Sequence, residues 1–302
     1  MNSNEREQYE QQGYVIFKNL IPGSLIQSVL THYHQDIVES SRPFFRQSTY
    51  SYSKNELTEF GYVKESFLDI HDYHNYPEFS QHVRSIVCSA EIQSALKQIF
   101  DNESFNLVQS MMFDANTGTF PHQEWWYLDT IPNGHLTIAW IALEDIDERA
   151  GRFYVIPTDA DNLDFHSDRP GISHEEWLKR IKNYVDSHPE KIDAPALKQG
   201  DVLLLNSRTI HGSLPTIDPT FSRKSITAHY IPAHYQFGNL FKQKPIAYKK
   251  MDDVLCYSAH PEYSLLNQLN FKANWFLRSS KLLKPIRELK ASLLQASGRS
   301  EK

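Results

Sequence analysis

Four residues of this chain combine side-chain types and spacing suited to redox chemistry: His122, Glu124, His211 and Arg223. Two imidazoles and one carboxylate can hold Fe(II) on one face of the ion and leave the opposite face open to a substrate and O₂. An arginine shortly after the second histidine can bind the distal carboxylate of a 2-oxoacid through two parallel hydrogen bonds. Ser213 could donate a hydroxyl hydrogen bond to the same carboxylate. Together these residues suggest an oxygenase.

The surroundings of the first motif matter, because His-X-Asp/Glu is frequent in this sequence. Six of the 14 histidines begin such a triplet. They are His34, His122, His166, His174, His188 and His260. Only His122 follows a long strand-like run, residues 105–113, and a turn at 118–121. On a strand, residues i and i+2 share a face, so His122 and Glu124 are predicted to point at one ion.

The second histidine and the arginine have strand signals of their own. Residues 199–201 (Gln-Gly-Asp) favour a tight turn, and the apolar run 202–206 is typical of a buried strand. His211 follows, and the stretch 225–230 after Arg223 again has strand composition. We therefore expect His211 and Arg223 on neighbouring antiparallel strands, with the guanidinium a few ångströms beyond the metal.

Four segments, taken in order, resemble the phytanoyl-CoA dioxygenase family of Fe(II)/2-oxoglutarate-dependent oxygenases. They are 9–21 (Tyr-Glu-Gln-Gln-Gly-Tyr-Val-Ile-Phe-Lys-Asn-Leu-Ile), 122–127 (His-Gln-Glu-Trp-Trp-Tyr), 136–145 (Leu-Thr-Ile-Ala-Trp-Ile-Ala-Leu-Glu-Asp) and 200–223. The usual first motif of that family is His-X-Asp. This chain carries the longer Glu124, which we interpret as a competent ligand. A carboxylate at this position also argues against halogenation, which in related enzymes needs the position free for a halide.

The resemblance implies a fold and a set of cofactors. The expected fold is mainly β with helical additions: a double-stranded β-helix (jelly roll, cupin-like) flanked by helices. The expected cofactors are Fe(II), 2-oxoglutarate and O₂, with ascorbate as an activator in vitro. Relatives place an amide near the C1 carboxylate of 2-oxoglutarate, at the position of Gln109. They also line the cosubstrate pocket with a tryptophan, which Trp140 matches.

Substrate contacts are predicted from Trp126, Tyr127 and His229. The aromatic residues indicate an apolar or ring-containing small molecule. Hydroxylation or another oxidative tailoring step, plausible in specialised metabolism, is the expected reaction. Two alternatives stay open, because a fold does not fix a function. A zinc-dependent hydrolase could use two histidines and a glutamate, and a catalytically silent binding protein could keep the same fold.

Composition narrows the class of protein. The formal net charge is −6, which argues against nucleic acid as a partner. Two cysteines, Cys88 and Cys256, are too few for a disulfide framework or a zinc quartet. The chain begins with polar residues and contains no apolar run of about 20 residues. The sequence therefore predicts a cytoplasmic protein, and a monomer or homodimer.

The organisation along the chain is that of a single domain, 1–302, with two additions. A helical insertion is expected at about 168–194. A basic amphipathic tail covers about 265–302. We favour a tail packed on the barrel; contact with anionic lipid, an acidic carrier protein or an acyl-CoA phosphate is the less favoured alternative. Helices are also predicted within 22–40 and 76–100, and a long loop at 42–70 that covers the active site.

Overall fold

The computed structural model describes residues 3–49, 51–100, 104–159, 172–239, 244, 246–260, 262–269 and 272–273. In this part of the chain, the helices before residue 100 cover one face of a large β-sheet, and a later helix packs on a second layer of strands. The helices are α1 Ser3–Gln12, α2 Gly23–His32, α3 Pro77–Val87, α4 Ala90–Ile99 and α5 His174–Ser187. The strands are β1 Tyr14–Phe17, β2 Phe44–Arg46, β3 Ser51–Ser53, β4 Phe67–Leu68, β5 Phe105–Phe113, β6 Asp129–Ile131, β7 Thr137–Ala142, β8 Phe153–Ile156, β9 Val202–Asn206, β10 Ile210–Ser213, β11 Ser225–Pro232, β12 Gln236–Gly238, β13 Lys249–Met251 and β14 Val254–Cys256.

The large sheet has the strand order β1-β9-β7-β11-β5-β14-β13, and β4 also pairs with β5. Its pairings are antiparallel except that β14 runs parallel to β5. Strand β11 lies between β5 and β7 and pairs with both. A side chain on β11 is therefore held from two sides by neighbouring strands.

Side-chain alternation gives this sheet two faces with different roles. Ile226 and Ala228 of β11 belong to the apolar core beneath the helices, where α3 contributes Val83. Thr227 and His229 alternate with them and therefore point to the opposite, inner face. The helices shield one face, and the inner face is left for a second layer of strands.

Shorter strands form that second layer. β10 pairs with β8, β12 pairs with β6, and an isolated bridge joins His122 to His211. Phe153 and Val155 of β8 pack in the same apolar cluster as Trp140 of the large sheet. Two sheets thus face each other across an interior, which confirms the predicted double-stranded β-helix (jelly roll, cupin-like) flanked by helices.

Four of the five α-helices lie where helices were predicted, whereas α1 at Ser3–Gln12 was not predicted. The region 22–40 forms α2 followed by a π-helical segment, Tyr33–Val38, and the two helices expected within 76–100 are α3 and α4. Helix α5 begins where predicted because the Ser173 side chain accepts a backbone hydrogen bond from its first turn. The stretch 42–70, predicted as a loop, contains β2, β3 and β4.

Most of the basic tail, 265–302, and residues 168–171 of the insertion lie outside the described residues. The predictions for the tail therefore stay predictions. None of the described helices has both the length and the apolar character needed to cross a membrane.

Candidate metal centre and cosubstrate site

His122, Glu124 and His211 come together at one end of the interior. Their ligand atoms all lie within 4.8 Å of one another. Oε2 of Glu124 is 3.5 Å from Nε2 of His122 and 3.9 Å from Nε2 of His211. Two ligand atoms at right angles on an ion about 2.1 Å away are about 3 Å apart. The three side chains therefore fit a single metal ion after small adjustments, with the geometry of a facial triad.

The backbone fixes which ring nitrogen each histidine offers. Nδ1 of His122 lies 2.8 Å from the carbonyl oxygen of Phe120, and Nδ1 of His211 lies 3.0 Å from that of Thr209. A carbonyl oxygen only accepts, so in the neutral ring Nδ1 carries the hydrogen and Nε2 keeps its lone pair. Both Nε2 atoms face Glu124, and both are ready to bind a metal.

The backbone of the first motif differs from the prediction beyond residue 123. His122 makes its isolated bridge and Gln123 is extended, but Glu124–Trp126 forms a 3₁₀ turn. The backbone N–H of Tyr127 closes the turn by donating to Glu124 O at 2.8 Å. The backbone N–H of Trp125 donates outside the turn, to Ser207 O at 3.1 Å, so these polar groups are paired without a strand ladder. The prediction that Glu124 lies on a strand is therefore wrong, although His122 and Glu124 still point to one place.

The pKa shifts of His211 and Glu124 favour the protonation states that bind a metal ion. Burial and the neighbouring His122 lower the pKa of His211 to about 3, so its ring is neutral near pH 7. Burial alone would raise the pKa of Glu124, but the contacts with His122 and His229 outweigh it and hold that pKa well below its usual value. The site thus offers one carboxylate and imidazole nitrogen donors, a set that suits Fe(II).

Arg223 and Ser213 form a second polar group next to this triad. The Arg223 guanidinium is 2% exposed, and its Nη1 donates to Ser213 Oγ at 2.8 Å and to Gly151 O at 3.0 Å. Its Nε is buried without a hydrogen-bond partner, and no acidic side chain of the described residues pairs with it. Burial lowers the pKa of Arg223 to about 10. A buried cation without a counter-charge is unfavourable, so an anionic ligand that paired with Arg223 would be stabilised there.

The route by which Arg223 approaches His211 differs from the prediction. They do not lie on neighbouring strands, because β10 pairs with β8 and the strand after Arg223, β11, pairs with β5 and β7. The segment between them crosses from one sheet to the other. Ser213 at the end of β10 bridges the gap, because its hydroxyl reaches Arg223 from two residues beyond His211.

Gln109 and Trp140 both lie in the interior, at different distances from the triad. Gln109 sits opposite His229 in the β5–β11 register, and its Nε2 is 3.3 Å from the sulfur of Met111. Trp140 stacks on Phe153 with ring centroids 5.6 Å apart, and the Phe153 ring is itself 5.6 Å from that of His211. Trp140 therefore supports the metal ligand through Phe153.

Trp126 and Tyr127 contact the insertion helix α5. Trp126 stacks on Trp177 with centroids 4.6 Å apart. The Tyr127 hydroxyl and His174 Nε2 share a hydrogen bond of 2.7 Å, and the Tyr127 ring lies 5.8 Å from that of His122. The insertion thus packs on the turn that carries Glu124 and forms one wall beside the metal centre.

Sequence reasoning missed Gly151 and Phe153. Gly151 has a φ of +79°, and a Cβ there would stand 2.6 Å from Leu214 O, so glycine alone fits. This turn points the Gly151 carbonyl at Arg223. The available signal was the glycine immediately before a strand-like run, which marks a close backbone approach.

Known proteins share this fold. The model of the phytanoyl-CoA dioxygenase family (PhyH) matches residues 9–224. The chain belongs to the phytanoyl-CoA dioxygenase family, and its class is that of the non-haem Fe(II)/2-oxoglutarate-dependent dioxygenases, with 2-oxoglutarate and O₂ as cosubstrates.

Individual relatives are distant. The peroxisomal phytanoyl-CoA dioxygenase of Homo sapiens is 22% identical over 294 residues, which cover 91% of this chain and 80% of that protein. The α-ketoglutarate-dependent carbocyclase SnoK from nogalamycin biosynthesis is 17% identical with a TM-score of 0.58, over 80% of this chain and 88% of that one. HygX from Streptomyces hygroscopicus, solved with nickel and 2-oxoglutarate, is 12% identical with a TM-score of 0.53, over 87% and 98%. The solved structures share the fold with this chain.

Proposed function

We propose that this dioxygenase hydroxylates, or otherwise oxidatively tailors, a small molecule. His122, Glu124 and His211 would hold Fe(II), and Arg223 with Ser213 would bind the C5 carboxylate of 2-oxoglutarate. The iron, when bound, supplies the O₂ chemistry that couples decarboxylation of 2-oxoglutarate to oxidation of the substrate. The protein supplies position, charge and exclusion of water.

The observation that carries this proposal is the buried, acid-free guanidinium of Arg223. A guanidinium presents two parallel donors that match a carboxylate. Nη1 of Arg223 donates hydrogen bonds to Ser213 and Gly151. Its buried Nε has no hydrogen-bond partner in the described part of the chain. An incoming carboxylate would satisfy Nε and neutralise the cation at once. Because Ser213 also ends the strand of His211, one ligand can reach both the cation and the metal.

The other predicted contacts extend this arrangement. We propose that the Gln109 amide, which faces the interior, hydrogen-bonds the C1 carboxylate of 2-oxoglutarate. Trp140 would shape the cosubstrate pocket indirectly, through its stacking on Phe153. Trp126 and Tyr127 would border the substrate, with the exposed edge of Tyr127 the more accessible of the two.

The substrate is proposed by chemistry and by analogy. Aromatic side chains beside His122 suit an apolar or ring-containing molecule. Among the structural relatives, SnoK is from nogalamycin biosynthesis, and HygX has been solved with hygromycin B bound. These names support, by fold-level analogy, a role in specialised metabolism. A single catalytic domain over 1–302, a cytoplasmic location and a monomer or homodimer also remain proposals, which cell fractionation and light scattering can check.

The test is succinate formation from 2-oxoglutarate by anaerobically purified protein given Fe(II), ascorbate and O₂. Activity should require iron, disappear in Arg223→Ala, and rise when one fraction of pooled cell metabolites is added. Arg149→Ala is the matched control, because that exposed arginine pairs with Asp147 and should leave turnover unchanged.

A zinc hydrolase or a silent binding protein would give different results. Either would show no 2-oxoglutarate turnover and no metal-to-cosubstrate absorbance on adding Fe(II) and 2-oxoglutarate. A hydrolase would in addition bind zinc tightly and have no need of Arg223. The dioxygenase is therefore separated from both alternatives if the parent binds 2-oxoglutarate and the Arg223→Ala variant does not.

A further inference from the structure

The two carboxylate oxygens of Glu124 have different neighbours. Oε2 faces the Nε2 atoms of His122 and His211, at 3.5 and 3.9 Å. Oε1 faces a third imidazole, with Nε2 of His229 at 3.9 Å. The carboxylate therefore lies between the two candidate metal ligands on one side and His229 on the other.

His229 is held firmly in this position. It lies on β11, paired through the backbone with Gln109 of β5 and Ile138 of β7. Its side chain is 4% exposed, and Nδ1 is buried without a hydrogen-bond partner in the described part of the chain. Glu124 is therefore the acidic group of the described residues that accounts for the orientation of this ring.

His229 is not a fourth member of the metal cluster. The group of ligand atoms found within 4.8 Å of one another in the described residues contains His122, Glu124 and His211 only. His229 faces Oε1 of Glu124, whereas His122 and His211 face Oε2. His229 thus contacts the carboxylate through the oxygen that the other two histidines do not face.

We propose that His229 is a positioning residue that binds Oε1 of Glu124 and so leaves Oε2 alone to face the metal. The inference rests on the proposed function and deepens it. A carboxylate that bound through both oxygens would occupy an additional coordination position on the ion. Three protein ligands and a two-atom chelate by 2-oxoglutarate leave one position of six for O₂, so a one-oxygen glutamate keeps that position open.

This pairing also gives a reason for Glu124 where the family pattern has aspartate. Glutamate is longer by one methylene, so its carboxylate can extend past the metal-facing side and contact a ring on β11. An aspartate at 124 would hold its oxygens closer to the 3₁₀ turn and farther from His229. Glu124 and His229 are therefore expected to act as a pair, and partners that orient a ligating side chain typically change metal affinity about 10- to 100-fold.

The test measures Co(II) binding by visible absorbance, which needs neither 2-oxoglutarate nor turnover. His229→Leu should weaken Co(II) binding about 10- to 100-fold and change the ligand-field spectrum. His229→Gln, whose amide can donate to Oε1, should recover most of the affinity, whereas the shorter His229→Asn should not. Thr227→Val is the matched control: it lies on the same face of the same strand and its hydroxyl has no described partner. It should bind Co(II) like the parent.

A Glu124→Asp background provides an independent check. There the shorter carboxylate does not reach His229, so adding His229→Leu should reduce Co(II) affinity less than twofold further. Equal affinities and spectra for the parent, His229→Gln and His229→Asn would overturn the proposal. The comparison of Gln with Asn decides the matter even if His229→Leu does not fold. Loss of Co(II) affinity in a protein without 2-oxoglutarate turnover would leave this inference standing and refute the proposed function.

Discussion

Replacing Arg223 by methionine should have opposite effects on the apo protein and on cosubstrate binding. The pKa of Arg223, lowered by burial from 12.5 to about 10, corresponds to about 3 kcal/mol of unfavourable burial energy. A lowered pKa of a base means that its cation is less stable in the folded than in the unfolded chain. The penalty is therefore fully present below pH 10 and fades only as the pH rises toward 12.5.

Methionine fills a similar volume without the charge. Removing the cation recovers about 3 kcal/mol, and leaving Ser213 Oγ and Gly151 O without their donor costs about 1 kcal/mol each. The free energy of unfolding of apo Arg223→Met should thus exceed that of the apo parent by about 1 kcal/mol. The melting temperature should rise by about 2 °C. The parent, in contrast, should gain about 2.7 kcal/mol from 2-oxoglutarate at 100 times its Kd, in the presence of Ni(II).

The assay is thermal and urea unfolding of both proteins with Ni(II), with and without 2-oxoglutarate. Arg223→Met should lose the 2-oxoglutarate-dependent gain because its Kd rises about 100-fold or more, as expected when a buried charge pair worth about 3 kcal/mol is lost. Arg149→Met is the control and should keep the gain. An apo Arg223→Met protein destabilised by several kcal/mol that still responds to 2-oxoglutarate would refute the reasoning.

Four further predictions follow from the same contacts. The pKa of His211 is lowered to about 3, so the apo parent should lose stability as the pH falls and the unfolded chain takes up a proton. His211→Gln should remove this loss and reduce the slope of unfolding free energy against pH by about 1.4 kcal/mol per pH unit between pH 4 and 6. Equal slopes in urea titrations of the two proteins would contradict this. Gly151→Ala should destabilise the fold by more than about 1 kcal/mol, since its φ is +79°, and should weaken 2-oxoglutarate binding measured by calorimetry; Gly61→Ala, also at positive φ but with open space around it, should leave that binding unchanged. Ser173→Ala should cost about 1 kcal/mol by removing the α5 cap, measured by urea unfolding, while Ser173→Asp restores it. Chelation of a metal-loaded sample should lower the melting temperature of the parent but leave that of His122→Ala unchanged.

Local sequence patterns were enough to predict several strands and helices and the side chains that are candidates to bind the metal and the cosubstrate. The apolar runs at 105–113 and 202–206 became β5 and β9, because strand periodicity and composition are read within one segment. The helical insertion predicted at about 168–194 contains α5 for the same reason. His122, Glu124, His211 and Arg223 were recognised from residue type and order, which follow from coordination chemistry and not from the fold.

The tertiary structure alone decided which groups complete the site. The 3₁₀ turn at Glu124–Trp126 replaced a predicted strand, and its backbone is paired by one hydrogen bond within the turn and one from Trp125 to the distant Ser207. Arg223 met Ser213 and Gly151 across two different sheets, and His229 met Glu124 across the interior. These contacts join residues tens of positions apart, and their distances depend on how two sheets pack. A local pattern carries no such information, so the sequence named the ligands while the packing supplied the groups that hold them.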